Sequence, residues 1–247
     1  MSYRDNQAVV ITGASSGLGL ALSKKFIDRG AFVFGVSKTK RNWKSALAVM
    51  EHSDRFILKA ADLTKEPVVQ RFLRTVQKKA ERINLLINCA GYGGRLATVE
   101  QLSLSEFERH LSNNLLSTFL MCKHTIPFMR RQKSGLIINI SSMAGKRAVP
   151  KLVAYSAAKF GIVALSQCIA KENSDANLRC ITVCPGGMNT RMRVALFGEE
   201  DAGHQQSVSY VSDVIVQVAL GKIDVESGGD IIIRHGKIEA INQAPRA

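Results

Sequence analysis

The sequence predicts an α/β protein with one doubly wound, parallel sheet of about seven strands and helices on both faces. Two observations carry that expectation. Short β-branched, apolar runs alternate along the chain with longer amphipathic stretches, and the first run passes directly into a glycine-rich turn. Strands separated by helix-length segments need crossover connections, and these give a parallel sheet covered on both sides. With 247 residues, 46% of them hydrophobic, the chain can bury one sizeable core, so one domain is expected over residues 1–247.

In chain order, strands are expected at Ala8–Thr12, Ala31–Val36, Phe56–Ala60, Leu85–Asn88, Leu136–Ser141, Arg179–Cys184 and Asp230–Arg234. Helices are expected near Leu18–Arg29, Pro67–Lys79, Ser105–Arg131, Leu152–Lys171 and Val211–Leu220, and the polar stretch from Glu199 to Ser209 as a mobile loop. Met1 to Gln7 is polar, without an apolar stretch and small-residue cleavage site, so no signal peptide is expected. No uninterrupted apolar run approaches the ~18 residues of a membrane span. A cytoplasmic protein without a membrane partner is the expectation. The five cysteines, Cys89, Cys122, Cys168, Cys180 and Cys184, are scattered without zinc spacing; they are expected as reduced thiols, with no metal site. A net charge of +14 attracts anions, but the basic residues form no long run and no nucleic-acid recognition motif is present, so no specific nucleic-acid partner is expected.

The strand Ala8–Thr12 runs into Thr12-Gly13-Ala14-Ser15-Ser16-Gly17-Leu18-Gly19 and then a helix. Glycines permit a tight turn and let backbone N–H groups approach a pyrophosphate, to which the new helix offers its positive end. In that context a Rossmann-type dinucleotide fold follows, with Gly13, Ser15, Ser16, Gly17, Leu18 and Gly19 around the phosphates. A cofactor with a free ribose 2′-OH usually meets an acidic residue at the end of the second strand, ~20 residues past the glycines. Here that end reads Val36-Ser37-Lys38-Thr39-Lys40-Arg41, and between Gly19 and Glu51 the only acidic residue is Asp28, inside the preceding helix. A 2′-phosphate would find a hydroxyl, as at Ser37, and up to three cations, Lys38, Lys40 and Arg41, instead of a repelling carboxylate, which predicts NADP(H) over NAD(H).

Tyr155-Ser156-Ala157-Ala158-Lys159 lies in a helical stretch, where a spacing of four puts Tyr155 and Lys159 on one face. A phenol titrates near ~10, so an acid–base role near neutrality means a shift of ~3 units, or ~4 kcal/mol. One positive charge ~4 Å away supplies ~4 kcal/mol at an effective dielectric near ~20. Upstream, the strand Leu136–Ser141 is followed by Ser142, whose hydroxyl can point into the ligand crevice at the strand carboxyl ends.

With these residues in place the sequence resembles the short-chain dehydrogenase/reductase family over nearly its whole length. The matching segments are Thr12–Gly19, Asp62-Leu63-Thr64, Asn88-Cys89-Ala90-Gly91, Asn114 in Asn-Leu-Leu-Ser-Thr-Phe, Ser142, Tyr155 with Lys159, and Pro185-Gly186 with Thr190. The resemblance implies that Tyr155 donates a proton to the substrate oxygen during reduction and that Ser142 hydrogen-bonds that oxygen. It implies that Lys159 lowers the Tyr155 pKa and binds the nicotinamide ribose, while Asn114 holds a water that relays protons from Lys159. Asp62 and Leu63 would contact adenine, Asn88, Ala90 and Gly91 would line the cofactor cleft with Pro185 and Gly186, and Thr190 would anchor the carboxamide. The substrate implied is a small carbonyl or alcohol, and the assembly a homodimer or homotetramer pairing through the helices flanking the site.

The chain departs from the family pattern in three places. Cys89 replaces the second Asn of the usual Asn-Asn-Ala-Gly, a change expected to leave Asn88 working. Ser117 stands where Gly is frequent, and the tail near Asp230-Ile231-Ile232-Ile233 lacks the usual acidic-Gly-Gly ending. The last departure weighs against a 3-oxoacyl carrier-protein reductase and towards a ketone or hydroxy-acid enzyme. Lys146, Arg147, Lys151, Arg191 and Arg193 are expected in loops at the substrate entrance, which suggests an anionic substrate. No role follows from the five histidines or from Trp43, which reads as a packing residue. A nucleotide-sensing or nucleic-acid-binding module without turnover is the alternative class; retention of Ser142, Tyr155, Lys159 and Asn114 argues for an enzyme.

Overall fold

A computed structural model describes residues 7–51 and 53–245 of the chain. One eight-stranded sheet has the order β3-β2-β1-β4-β5-β6-β7-β8. Its strands are β1 (Gln7–Thr12), β2 (Phe32–Ser37), β3 (Phe56–Ala60), β4 (Arg82–Asn88), β5 (Gly135–Ile140), β6 (Leu178–Pro185), β7 (Asp230–Arg234) and β8 (Lys237–Asn242). The first seven pair in parallel, as the crossovers require, and β8 returns antiparallel on β7.

Side-chain alternation along β1 divides the core. Val9 and Ile11 point to one face, against α1 (Gly17–Ile27), α2 (Trp43–Val49) and α8 (Val208–Ala219). Ala8 and Val10 point to the other, against α3 (Glu66–Lys79), α5 (Ser117–Gln132) and α6 (Val153–Glu172). All four are fully buried, so β1 is apolar throughout, as a strand covered on both faces must be. Strand order reverses between β1 and β4. The crevice beyond their carboxyl ends is therefore the place where such sheets hold ligands.

Four differences from the sequence expectation have physical reasons. The eighth strand was not expected. His235 (φ 52) and Gly236 (φ 68) are both left-handed, which makes a tight two-residue turn whose twist suits a hairpin. Exposure then alternates along Lys237-Ile238-Glu239-Ala240-Ile241-Asn242 in β8, and polar and apolar residues alternate from Lys237 to Ala240. Second, the short helix α2 follows β2. Third, the expected helix Ser105–Arg131 is three segments: α4 (Leu104–His110), a π-helical turn over Leu111–Leu116, and α5.

The fourth difference concerns Glu199 to Ser209 and the supposed entrance loop at Arg191, most of which is helical. Thr190 caps α7 (Arg191–Gly203) by accepting from Arg193 N at 3.2 Å. Gly198 (φ 87) kinks that helix and returns Asp201 to Arg193. Ser207 then caps α8 through Tyr210 N at 3.1 Å. The polar side chains are polar because they cap and pair, not because the segment is loose. Among the described residues, α6 is the one helix long and apolar enough to cross a membrane, by length and composition; half of it is buried inside the protein.

Candidate active site

The glycine turn forms as predicted. Gly13 (φ 71) donates its N–H to Val36 O at 2.8 Å, and a Cβ on Gly19 would collide with the Gly13 carbonyl. Ser16 caps α1 with extended backbone (φ -161), but its side chain makes no cap hydrogen bond and the first turn holds no acidic residue. The first N–H groups of α1 are therefore available to an anion. Thr12 Oγ1 accepts from Cys89 N at 3.0 Å and Ala90 N at 2.9 Å, tying the segment after β4 to the turn after β1. A cleft floored by backbone results, with Gly17 facing Thr190 and Gly91 facing Asn114. A Cβ at those glycines would lie 3.7 Å from Thr190 Cγ2 and 3.2 Å from Asn114 Oδ1. Such a floor fits a dinucleotide.

At the end of β2, Ser37 is buried, donating to Thr39 O and accepting from Trp43 Nε1, both at 2.9 Å. Trp43 is thus bound to the cofactor loop, more specifically than general packing suggested. Lys38 lies 3.2 Å from the Asp62 carboxylate and donates to Asn113 Oδ1 at 3.1 Å. Asp62 also accepts from Thr64 N and Oγ1; these bonds and Lys38 hold its carboxyl below the usual range against the opposing effect of burial, which is the largest single influence. Leu63 beside it is buried. Asn88 is buried at the end of β4. Its amide donates to Asn139 Oδ1 at 2.8 Å and to Cys122 Sγ at 3.3 Å, inside a buried network that continues from Asn139 to Ser166. Cys89 is the residue drawn into the site: burial pushes its thiol up to about 12, while the Lys159 charge acts to lower it.

The acid–base group assembles at the carboxyl ends of β4, β5 and β6. Ser142 opens a 3₁₀ turn, Met143–Gly145, its Oγ accepting from Ala144 N at 3.1 Å. That turn sits hard against α6, where Ser141 Oγ donates to Lys159 O at 2.8 Å. Tyr155 and Lys159 share one face of α6, with Lys159 Nζ 5.5 Å from the centre of the Tyr155 ring. Lys159 is buried and donates to Ile140 O at 2.9 Å. Burial lowers its pKa to about 8, against the raising influence of Cys89 and Cys184.

The expected lowering of Tyr155 is not what the structure gives. Burial raises the phenol above its ordinary value, opposed by the Ser142 hydroxyl and reinforced by Cys89. Removing a phenolate from water is costly, and that cost acts against the pull of a nearby cation.

Asn114 is fully buried in the π-helical turn. Its Oδ1 accepts from Tyr92 N, and its Nδ2 donates to Tyr92 O and His110 O, all at 3.0 Å. The widened turn opens room at the His110 carbonyl for that side chain, a use of π geometry common at functional sites. Ser117, where Gly was usual, donates to Asn113 O at 2.9 Å and closes the turn onto α5. Behind this stands a group the sequence did not reveal. His110 is buried with its ring 6.3 Å from that of Tyr155 and 5.0 Å from that of Tyr92, whose hydroxyl donates to Glu106 at 2.7 Å. Burial lowers the His110 pKa, against Glu106, which raises it.

A cleft of about 800 Å³ extends from Ser142 and Tyr155. Met143, Val149, Leu152, Met188, Met192, Leu196 and Phe197 give it apolar walls; Arg234, His235 and Gly236 of the β7–β8 turn border it, with His204. Gln206 anchors that turn, donating to Ile233 O at 2.9 Å and accepting from Gly236 N at 3.4 Å. Gly186 and Thr190 lie on the cleft, and Gly186 N is held by Ile233 O at 2.8 Å, directly after Pro185. Of the five cations expected at the entrance, only Arg147 and Arg193 line it. Lys146 pairs with Asp230 at 2.7 Å, Lys151 lies outside it, and Arg191 turns to Asn42. Arg193 is paired with Asp201 and lies over Phe197. The five cysteines are free. Among the described residues no cluster of His, Cys, Asp and Glu could hold a metal; His52 lies outside them.

A doubly wound sheet with a phosphate-ready turn and an adjacent Ser, Tyr and Lys set defines a dinucleotide-type oxidoreductase fold. The chain belongs to the short chain dehydrogenase family, whose sequence profile matches residues 7–201. It is 34% identical over 191 residues to the short chain dehydrogenase adrF of Penicillium rubens, covering 77% of this chain and 72% of that one. It is 27% identical over 199 residues to an NADPH-dependent pterin aldehyde reductase of Arabidopsis thaliana, covering 81% and 82% of the two chains. Levodione reductase superposes with a TM-score of 0.86 at 23% identity, over 94% of this chain and 97% of that structure. ElxO with NADP bound gives 0.84 at 22%, over 92% and 97%.

Proposed function

We propose that this protein is an NADP(H)-dependent reductase that converts a carbonyl with a substantial apolar body to the alcohol. One observation carries the reading: Ser142 and Tyr155 line one largely apolar cleft together with Thr190, which faces Gly17 of the glycine turn. Bound nicotinamide supplies the hydride, or takes it up in the reverse direction. Ser142 donates a hydrogen bond to the substrate oxygen and stabilises the charge that develops there. Tyr155 then gives that oxygen its proton. A phenol held above its ordinary pKa keeps the proton available for donation, which suits reduction. Lys159, charged below about pH 8, favours return of a proton to Tyr155 and binds the ribose hydroxyls. Thr190 and Gly91 would hold the carboxamide and ribose end of the cofactor, and Asp62 and Leu63 the adenine.

The preference for the phosphorylated cofactor rests on residues, since a structurally similar 3-ketoacyl-(acyl-carrier-protein) reductase is complexed with NADH. Lys38, Lys40 and Arg41 follow β2 and no acidic side chain does. The NADPH-dependent pterin aldehyde reductase among the relatives supports the same preference. Arg147, exposed at the cleft and without a carboxylate partner among the described residues, is the cation left to meet an acidic group on the substrate. Leu116 and Phe119 on the π turn and α5, and Phe160 on α6, are exposed and support pairing of copies through those helices as a dimer or tetramer. Five free thiols fit a reducing, cytoplasmic setting.

The test follows oxidation of NADPH and NADH in parallel over neutral, acidic and thioester ketones, with Tyr155→Phe as control. Turnover with NADPH that collapses in the variant is expected. NADPH binding without turnover on any carbonyl would favour a sensing module and overturn the proposal.

A further inference from the structure

Arg191 was expected beside the substrate, yet it points away from the cleft. From the first turn of α7 its Nη1 donates to Asn42 Oδ1 at 2.8 Å. Asn42 ends the loop that follows β2 at the residue before α2, and its side chain makes no capping bond to that helix. The start of α7 lies over the glycine turn, with Thr190 Cγ2 3.7 Å from where a Cβ on Gly17 would sit. Arg191 therefore bridges the groove from the glycine turn to the β2 loop, on the side where the cofactor's adenosine phosphate would lie.

Much of the loop's own polar capacity is committed. The Ser37 hydroxyl is used by Thr39 and Trp43, Lys38 faces Asp62 at 3.2 Å, and Lys40 lies over the Trp43 ring at 5.3 Å. Arg41 is exposed beside them, and a phosphate arriving there can also draw in a cation from across the groove whose present partner is neutral. Arg191 is exposed and held by an amide oxygen, which it can exchange for a phosphate without stranding a carboxylate. A guanidinium also offers paired N–H groups that match a phosphate's oxygens.

We infer that Arg191 determines specificity for the cofactor's 2′-phosphate, moving from Asn42 to that group and holding α7 over the groove. Because α7 also carries Met192, Leu196 and Phe197 of the cleft wall, the same contact links the cofactor to the substrate end. The inference rests on the NADP(H) reading.

Trp43 is the single tryptophan and is bonded to Ser37, so its fluorescence reports on this loop without turnover. Wild type, Arg191→Ala and Arg191→Lys are titrated with adenosine 2′,5′-bisphosphate and with AMP, then with NADPH and NADH. Wild type is expected to prefer the 2′-phosphorylated ligands. Arg191→Ala loses roughly tenfold in affinity for them, the size of one charge-assisted hydrogen bond, while AMP and NADH move by about twofold or less. Arg191→Lys falls between. An equal loss for both ligand classes would put the guanidinium on the pyrophosphate side, and no loss would leave it idle; either result overturns the inference. If wild type prefers the bisphosphate and Arg191→Ala keeps that preference, the inference alone fails. If wild type shows no preference, the NADP(H) reading fails with it. Arg191 is exposed, so the fold of these variants is not in question.

Discussion

The two ends of the cleft are built by different means. At the cofactor end the surface is main chain: Gly13, Gly17, Gly19 and Gly91 bring backbone to the groove and helix α1 presents its first N–H groups. At the substrate end the surface is side chains, contributed by the segment after β5, helix α7 and the β7–β8 turn. A backbone surface tolerates almost no substitution and binds one kind of ligand. A side-chain surface can change residue by residue while the chemistry between the two ends stays fixed.

The largest effect is expected where the ends meet. Tyr155→Phe should lower turnover by roughly 10²–10⁴-fold, the range for loss of a positioned acid, while calorimetry finds cofactor affinity unchanged. Loss of cofactor binding instead would mean that Tyr155 belongs to the backbone-built end. Gly19→Ala breaks that end directly, because the new methyl meets the Gly13 carbonyl. Overpacking of this kind costs about 1–3 kcal/mol, and cofactor affinity should fall roughly tenfold or more, with the substrate KM little altered once cofactor is saturating.

Met192→Ala is the counterpart at the other end. It should raise the KM for an apolar substrate by roughly 3–10-fold, in line with loss of a few methylene-sized contacts, and leave cofactor affinity within about twofold. A parallel drop in both would show that the two ends are not separable at α7.

Lys159→Met sharpens the cost of the junction. The folded-state pKa of Lys159 is depressed from 10.5 to about 8, so its charge destabilises the fold at neutral pH. The variant should be inactive yet melt a few degrees higher at pH 7, for a net gain on the order of 1–2 kcal/mol after losing the bond to Ile140 O. That gain should shrink as pH rises from about 8 towards 10.5, where wild-type Lys159 loses its proton in the fold and stability recovers. Smallest is His110. Its folded pKa lies below the ordinary 6.5, so the stability it contributes is present above that pH and lost as pH falls through it. Denaturant midpoints for His110→Gln should decline less than wild type between about pH 7 and 5.5.

The same contrast explains what could be read from the sequence. Gly13–Gly19, Ser142, Tyr155 with Lys159, and the seven parallel strands were legible because backbone geometry and fixed spacing demand those residues at those places. The raised Tyr155 pKa was not, because desolvation depends on what surrounds the phenol in three dimensions. His110 was missed because only the π-helical turn packs it near Tyr155. The motif marked Asn88 but not the buried bonds from its amide to Asn139 and Cys122, which depend on strands and a helix far apart in the chain. The stretch after Thr190 was read as loops from its polarity, and its polar groups proved to be caps and the Arg193–Asp201 pair. A signal for β8 was present in the Gly236 turn and the alternation after it.

The anchoring of the β7–β8 turn by Gln206 has a consequence for the order in which the protein comes into being. Synthesis delivers the glycine turn before Ser142, Tyr155 and Lys159, and the wall at His235 and Gly236 follows only after all of them. The glycine-built end is thus made before the last wall of the side-chain-built end.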